Sequence, residues 1–288
     1  MTLARIAEDL RIAAKIVPGY IRARLAPTKP AEPAAPKTVE TIDGAFLIQG
    51  GDRVVSKAIT NGVYDQVTRD ELVAAIRPDD VVAVIGAHVG LHAIPLARRC
   101  RRLIAIEANP ESADLLRRNV EAHGLSDRIR VIEAAVADRA GEIVMERGLA
   151  GDNTGGVKVL PKRRRFYYGY DGIETFTVKC DTLDALLADE PAVDVALMDI
   201  EGSEVAALRG WPEGLARVRV LAMEFLPHHL DFVAGASVKD MARLLEPHFQ
   251  KIRFPHGRPK SRGPVYDALY DAYQRREEHP AVLFFRDA

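Results

Sequence analysis

Short apolar runs rich in β-branched residues alternate along this chain with segments whose apolar positions recur at helical spacing. The runs predict strands near 81–86, 102–107, 129–134, 194–199 and 219–225, and the periodic segments predict helices near 90–100, 110–123, 203–210 and 237–247. The strands are almost continuously apolar rather than alternating, so both faces of the sheet are covered. Strand–helix alternation of this kind predicts an α/β fold with a doubly wound, mostly parallel sheet. The last two apolar runs, 249–254 and 281–286, flank a long polar insert and suit an antiparallel edge at the C-terminal end.

Outside this frame the pattern changes. In residues 1–26, Leu3, Ile6, Leu10, Ile16, Val17, Tyr20 and Ile21 recur near helical spacing, which predicts an amphipathic N-terminal helical extension. Its cations outnumber its acids, which suits a peripheral membrane surface or docking on a protein, its own domain included. Residues 26–36 form a Pro/Ala linker, so the division expected is an extension over 1–42 and a main domain over 43–288. Residues 147–175 interrupt the alternation with glycines, then Lys162 to Arg165, then Phe166, Tyr167, Tyr168 and Tyr170. An insert of this length inside a compact domain is expected to be a lid loop.

Composition narrows the class further. With 288 residues and 48% hydrophobic content the chain suits one large domain with appendages. A formal net charge of −1 disfavours a long nucleic-acid partner. Two cysteines are too few for a disulfide framework, and no apolar run reaches the roughly 20 residues of a spanning helix. The expected location is cytoplasmic, with the inner membrane face as a place for the basic helix to rest.

The candidate chemistry lies at the strand ends. Gly86 and Gly90 bracket a tight turn after the first strand, where open α/β sheets bind ligands. A dinucleotide site wants a third glycine in the middle of that turn, and His88 stands there instead. No Gly-Lys-Ser/Thr triplet follows, so a phosphate loop is excluded as well. Glu107 ends the second strand, about 20 positions on, where a carboxylate accepts from ribose hydroxyls. Asp138 follows the third strand and is the candidate acceptor for an adenine amino group. Ribose and adenine without phosphate describe S-adenosyl-L-methionine.

The ordered motifs Val84-Ile-Gly-Ala-His-Val-Gly90, Ile106-Glu-Ala-Asn-Pro110, Thr182-Leu-Asp-Ala-Leu-Leu187 and Asp199-Ile-Glu-Gly-Ser-Glu204 resemble the FkbM family of S-adenosylmethionine-dependent methyltransferases, over roughly residues 52–255. Members tend to carry D-V-G-A-N-x-G, F-E-P-N-P, T-L-D-x-L-L and D-V-E-G-x-E at these places. The resemblance implies a Rossmann-like class I methyltransferase fold and S-adenosyl-L-methionine as cofactor. It implies O-methylation of a saccharide, glycoconjugate or other small-molecule hydroxyl, an anionic acceptor being suited to the basic loops. Val84 and His88 depart from the family's acid and Asn, so a non-catalytic cofactor-binding or scaffold protein is the alternative.

The cofactor-binding set expected is Gly86, Ala87, His88, Gly90, Glu107, Ala108, Asn109, Asp138 and Asp199. The catalytic set is Asp199, Glu201 and Glu224, with Asp199 at the mouth of the crevice and Glu201 and Glu224 available to a hydroxyl proton. Glu204 is expected to serve the helix start at Ser203. His228 and His229 are adjacent on what reads as a strand end, a poor arrangement for shared ligation, so no metal is expected.

Overall fold

The computed structural model describes residues 34–148, 153–162, 173–190, 192–255 and 264–287. The amphipathic segment 1–26, residues 163–170 with most of the basic and aromatic cluster, and the distal part of the basic run after Lys251 lie outside the described residues.

The described chain opens with a hairpin of β1 (Ala34–Thr41) and β2 (Gly44–Gly50). The expected domain boundary after residue 42 therefore falls in its turn, and the Pro/Ala run is extended at its end. The pairing register shifts between Ala34 and Lys37, around Pro36, which has no N–H to give the ladder. Phe46 and Ile48 of β2 are buried in the main core. Next come α1 (Arg53–Ala58), the short hairpin β3 (Ile59–Thr60) and β4 (Val63–Tyr64), and α2 (Gln66–Ala75).

The central frame then begins. It comprises β5 (Val81–Ile85), α3 (Ala93–Ala97), β6 (Arg102–Glu107), α4 (Pro110–Ala122) and β7 (Ile129–Glu133). A side sheet follows with β8 (Ala135–Val136), β9 (Gly141–Gly148), β10 (Lys158–Val159) and β11 (Ile173–Asp181). After it come α5 (Leu183–Leu186), β12 (Val195–Met198), α6 (Glu204–Arg209), α7 (Pro212–Leu215) and β13 (Val220–Phe225). The chain continues through α8 (Pro227–His229), a π-helical turn over Leu230–Ala234, α9 (Val238–Leu245), β14 (Lys251–Arg253), α10 (Val265–Arg275) and β15 (His279–Phe285).

Seven strands form the main sheet in the order β14-β15-β13-β12-β5-β6-β7. All its pairings are parallel except those of β15, which runs against both β13 and β14. The doubly wound, mostly parallel sheet and the antiparallel C-terminal edge are thus both present. Successive side chains of β5 serve opposite cores: Val81, Ala83 and Ile85 on one face, Val82 and Val84 on the other. Two-sided burial explains the unbroken apolar runs of the sequence.

Two details brace the ends of the central strands. Asn109 caps α4 through its side chain, and Pro110 occupies the first turn where its missing N–H costs nothing. Farther along α4, buried Asn119 accepts from Leu47 N at 2.7 Å and donates to Leu47 O and Val89 O. One amide side chain thus ties the hairpin to the glycine turn. The expected lid is partly regular structure: β9 and β11 pair antiparallel from Gly141↔Cys180 to Gly148↔Ile173, with β10 on the outer edge of β9. No helix among the described residues is long and apolar enough to cross a membrane.

Candidate active site

The carboxyl ends of β5, β6 and β12 open into one cleft of about 1150 Å³, its open mouth included. Its floor and walls include Gly86, Ala87, His88, Glu107, Ala108, Asp199 and Glu201, all expected from the sequence. Ala134, Ala135 and Val136 supply an apolar wall, and Met145 and Val159 of the side sheet, with Val157 just before β10, face it. Glu107, Asp199 and Glu201 are the only carboxyl groups among the described lining residues, no Lys or Arg lines the cleft, and Lys158 acts on Glu201 from outside the lining.

Gly86 makes the crossing of β5 and β12 possible. Its φ is +84°, and a Cβ there would lie 1.8 Å from Asp199 O. With Gly86 N and Ala87 N both donating to Ile106 O at 2.9 Å, the turn is pinned to β6. His88 follows at a φ of +48°. Its N–H donates to Glu107 Oε2 at 2.7 Å, and Asn109 N donates to Glu107 Oε1 at 2.8 Å. Both carboxylate oxygens are thereby aimed, and each keeps lone-pair capacity. Burial pushes the Glu107 carboxyl up from 4.5 to about 7, while these backbone donors hold it down.

His88 also reaches the far wall. Thr154 donates both its N–H and its hydroxyl to Asp52 Oδ2, so the His88 Nε2 contact to Thr154 Oγ1 at 2.9 Å is a donation from the ring. Asp52 in turn caps α1 through Val55 N at 2.8 Å. Burial lowers the His88 imidazole to about 4, so the ring is neutral with its proton on Nε2. The chain of contacts from His88 through Thr154 to Asp52 closes the cleft on the side of Asn153 and Gly155. Asp52, Tyr64, His92 and Thr154 were not singled out in this role from sequence. They join the site across up to 102 residues of chain, with no local spacing to announce them.

Three expected contacts lie off the cleft. Asp138 is exposed, 3.9 Å from Arg139, because β8 leaves the main sheet to pair with β11 and carries the chain outward. Asp138 is therefore not among the residues lining the cleft, and the wall at that end is apolar. Gly90 packs instead of lining: a Cβ there would meet Leu116 Cδ1 at 2.8 Å. Asn109 is buried at the head of α4 and aims Glu107 through its backbone.

The segment after β12 bends sharply, with φ +54° at Glu201 and +98° at Gly202. Glu204 secures the bend by accepting from Ile200 N at 3.3 Å and Gly202 N at 3.2 Å. Behind Glu201 lies a second layer. His229 Nε2 is 3.4 Å from Glu201 Oε2, and His229 Nδ1 is 3.3 Å from Glu224 Oε2. Glu224 thus sits one imidazole away from Glu201, outside the lining. Burial comes first for every member of the group; the charge of Asp65 adds to it at Asp199, and neighbouring carboxylates add to it at Glu201 and Glu224, with Lys158 offsetting part of the rise at Glu201. Asp199 moves to about 6 and Glu201 to about 8, and Glu224 lies well above its ordinary range. Burial lowers His229 strongly. Tyr64 across the cleft is raised by burial and by the charge of Asp199.

Comparison with known proteins adds a family. The model described as Methyltransferase FkbM domain matches residues 85–254, more than half of the chain. No curated protein matches. Among solved structures, a methyltransferase FkbM from Methylobacillus flagellatus is 16% identical, with 72% of this chain and 44% of that one covered and a TM-score of 0.45. This chain spans less than half of that protein's length. A precorrin-6y C5,15-methyltransferase from Geobacter metallireducens is 11% identical, covering 82% and 98%, with a TM-score of 0.43. The precorrin 8w decarboxylase of Methanobacterium thermoautotrophicum is 16% identical, covering 81% and 95%, with a TM-score of 0.42.

Proposed function

The chain belongs to the FkbM methyltransferase family, and on that premise we propose that it transfers the methyl group of S-adenosyl-L-methionine to a hydroxyl oxygen of a saccharide or glycoconjugate. The observation that carries this reading is the acidic lining of the cleft. Three carboxyl groups and no Lys or Arg line it among the described residues, which suits a cationic ligand and repels a pyrophosphate. When bound, the cofactor supplies a methyl group on a positively charged sulfur.

The residues present fit that ligand. Glu107, with both oxygens aimed by backbone donors, accepts from the ribose hydroxyls. Ala87, Ala108, Ala134 and Ala135 leave room for a flat apolar ring system. Asp199, at the end of β12, faces the cationic end of the cofactor. His88, Gly86, Gly90 and Asn109 hold the turns that place these groups.

A hydroxyl acceptor must lose its proton as the new bond forms, and a base works best near the ambient pH. Asp199 at about 6 and Glu201 at about 8 bracket neutrality. We assign Glu201 to take the proton, and Glu224 to sustain Glu201 through His229. The acceptor's oxygen lone pair forms the new bond to carbon, and the carbon–sulfur pair stays on sulfur. The side-sheet wall and, from the sequence, the basic run Lys162 to Arg165 are assigned to the acceptor, an anionic one being favoured.

Calorimetric titration with S-adenosylhomocysteine and NAD, followed by transfer from methyl-labelled S-adenosylmethionine to a panel of saccharides, tests the proposal. Binding of the first and not of NAD, with label in alkali-stable ethers, is expected. Tight NAD binding overturns the cofactor reading. Label only on amines overturns the oxygen acceptor. Cofactor binding with no transfer to any acceptor favours the non-catalytic alternative.

A further inference from the structure

Glu201, His229 and Glu224 come from three separate elements, and each is aimed by a local irregularity. Glu201 holds a left-handed φ of +54°. Glu224 sits at the break in register between Met223 and Phe225 of β13, where the partner shifts from Val282 to His279. His229 ends α8 and leads directly into the π-helical turn. Bulges and π-turns re-aim side chains at a cost in regular pairing.

The polar atoms so gathered are left without ordinary partners. His229 is 6% exposed, yet its Nδ1 makes no hydrogen bond. Glu224 Oε2 is also buried and makes none, although the two atoms stand 3.3 Å apart. Buried polar atoms without partners cost free energy, on the order of 1–3 kcal/mol each, unless something satisfies them. One ligand atom from each of the three residues lies within 4.8 Å of the others. Ligands bound to one cation at about 2.0–2.2 Å stand at most about 4.4 Å apart. Opposite ligands alone reach that limit and adjacent ones stand about 3–3.5 Å apart, so side-chain rotations that draw the atoms together by up to about 1.5 Å convert the cluster into a coordination shell.

We propose that Glu201, Glu224 and His229 bind one divalent first-row cation of the manganese, iron or zinc class, with open coordination positions facing the cofactor cleft. Two carboxylates and one imidazole form a mixed oxygen–nitrogen set suited to such ions. Three protein ligands leave room for an exchangeable oxygen, and Glu201 already lines the cleft. The oxygen accommodated there is the acceptor hydroxyl. Coordination weakens its O–H bond, the second oxygen of Glu201 takes the proton, and the freed lone pair is directed at the methyl carbon. This deepens the methyl-transfer reading and rests on it for the acceptor step alone.

The full chain is stripped with EDTA, and Mn²⁺ binding is measured by calorimetry and paramagnetic resonance without cofactor or acceptor. One saturable Mn²⁺ per chain is expected, with affinity at least tenfold weaker in Glu224→Gln and in His229→Gln. Circular dichroism and S-adenosylhomocysteine titration on each variant report whether the fold survives. Should a variant misfold, Co²⁺ added to the wild type provides the second readout, as visible absorption bands of nitrogen–oxygen coordination. Absence of both saturable Mn²⁺ binding and Co²⁺ bands overturns the site, as does binding unchanged in two folded variants. A chain that binds S-adenosylhomocysteine but no cation refutes the metal alone. A chain that binds the cation here but not S-adenosylhomocysteine refutes the cofactor reading alone.

Discussion

Replacing Glu107 by Gln keeps the shape of the side chain and removes one acceptor and all of its charge. In the native site Oε2 accepts from His88 N and Oε1 from Asn109 N, so the amide must turn its NH₂ toward one of these donors. One backbone N–H is then stranded, at roughly 1–3 kcal/mol. Bonds from ribose hydroxyls to a charged acceptor contribute roughly 1.5–3 kcal/mol each. Loss of one such bond weakens S-adenosylhomocysteine by about 10-fold to 100-fold.

The same carboxyl makes binding depend on pH. Its pKa stands at about 7 against an ordinary 4.5, raised first by burial. The folded state therefore holds the proton more tightly than the unfolded one. That contribution to stability, about 3 kcal/mol, is full below about 4.5 and is lost as pH rises through about 7. Cofactor binding runs the other way, because ribose hydroxyls donate best to the ionised form. If ionisation is required, affinity falls roughly 20-fold between pH 7.5 and 5.5. Titration with S-adenosylhomocysteine in two buffers of different ionisation enthalpy counts the proton released. Asp199 and Glu201 titrate nearby, so the difference between wild type and Glu107→Gln is the quantity that isolates Glu107. Equal pH slopes in the two proteins refute the argument.

Other perturbations test separate parts of the site. Gly86→Ala places a Cβ 1.8 Å from Asp199 O at a φ of +84°, and a loss of more than about 3 kcal/mol in unfolding free energy is expected; a wild-type denaturation midpoint refutes the close crossing of β5 and β12. Asp199→Asn is expected to weaken S-adenosylmethionine at least fivefold more than S-adenosylhomocysteine, because only the former carries the sulfonium charge; calorimetry with both ligands decides, and equal losses remove Asp199 from charge recognition. Thr154→Val cuts the link between His88 and Asp52, so S-adenosylhomocysteine is expected to leave several-fold faster in stopped-flow release with the fold intact; an unchanged rate shows that this contact does not hold the cleft closed.

The parts of the fold that could be read in advance are those whose burial and turn chemistry are written locally. The two-sided burial of β5 gives an unbroken apolar run, Gly86 meets a steric demand that only glycine satisfies, and Pro110 marks the start of α4. Glu107 was legible for the same reason, at a fixed distance past the glycine turn. Other residues owe their place to tertiary routing. Asp138 follows the third strand as expected, yet β8 turns to pair with β11 and carries it to solvent. At the described end of the Pro/Ala run Ala35 and Pro36 are exposed, and pairing with β2, which the sequence pattern does not announce, extends that backbone, with the register shift accommodating the proline. Adjacent side chains on a strand diverge, so the sequence alone argues against His228 and His229 as shared ligands. A proline-started turn places His229 on α8 instead, where both ring nitrogens meet carboxylates from other elements. The same logic separates the two kinds of acid here. Glu204 serves the bend it belongs to, through bonds within four residues, and its role was visible from its position. Glu201 and Glu224 are brought within reach of one imidazole only by the whole sheet, so their chemistry exists only once the chain has folded.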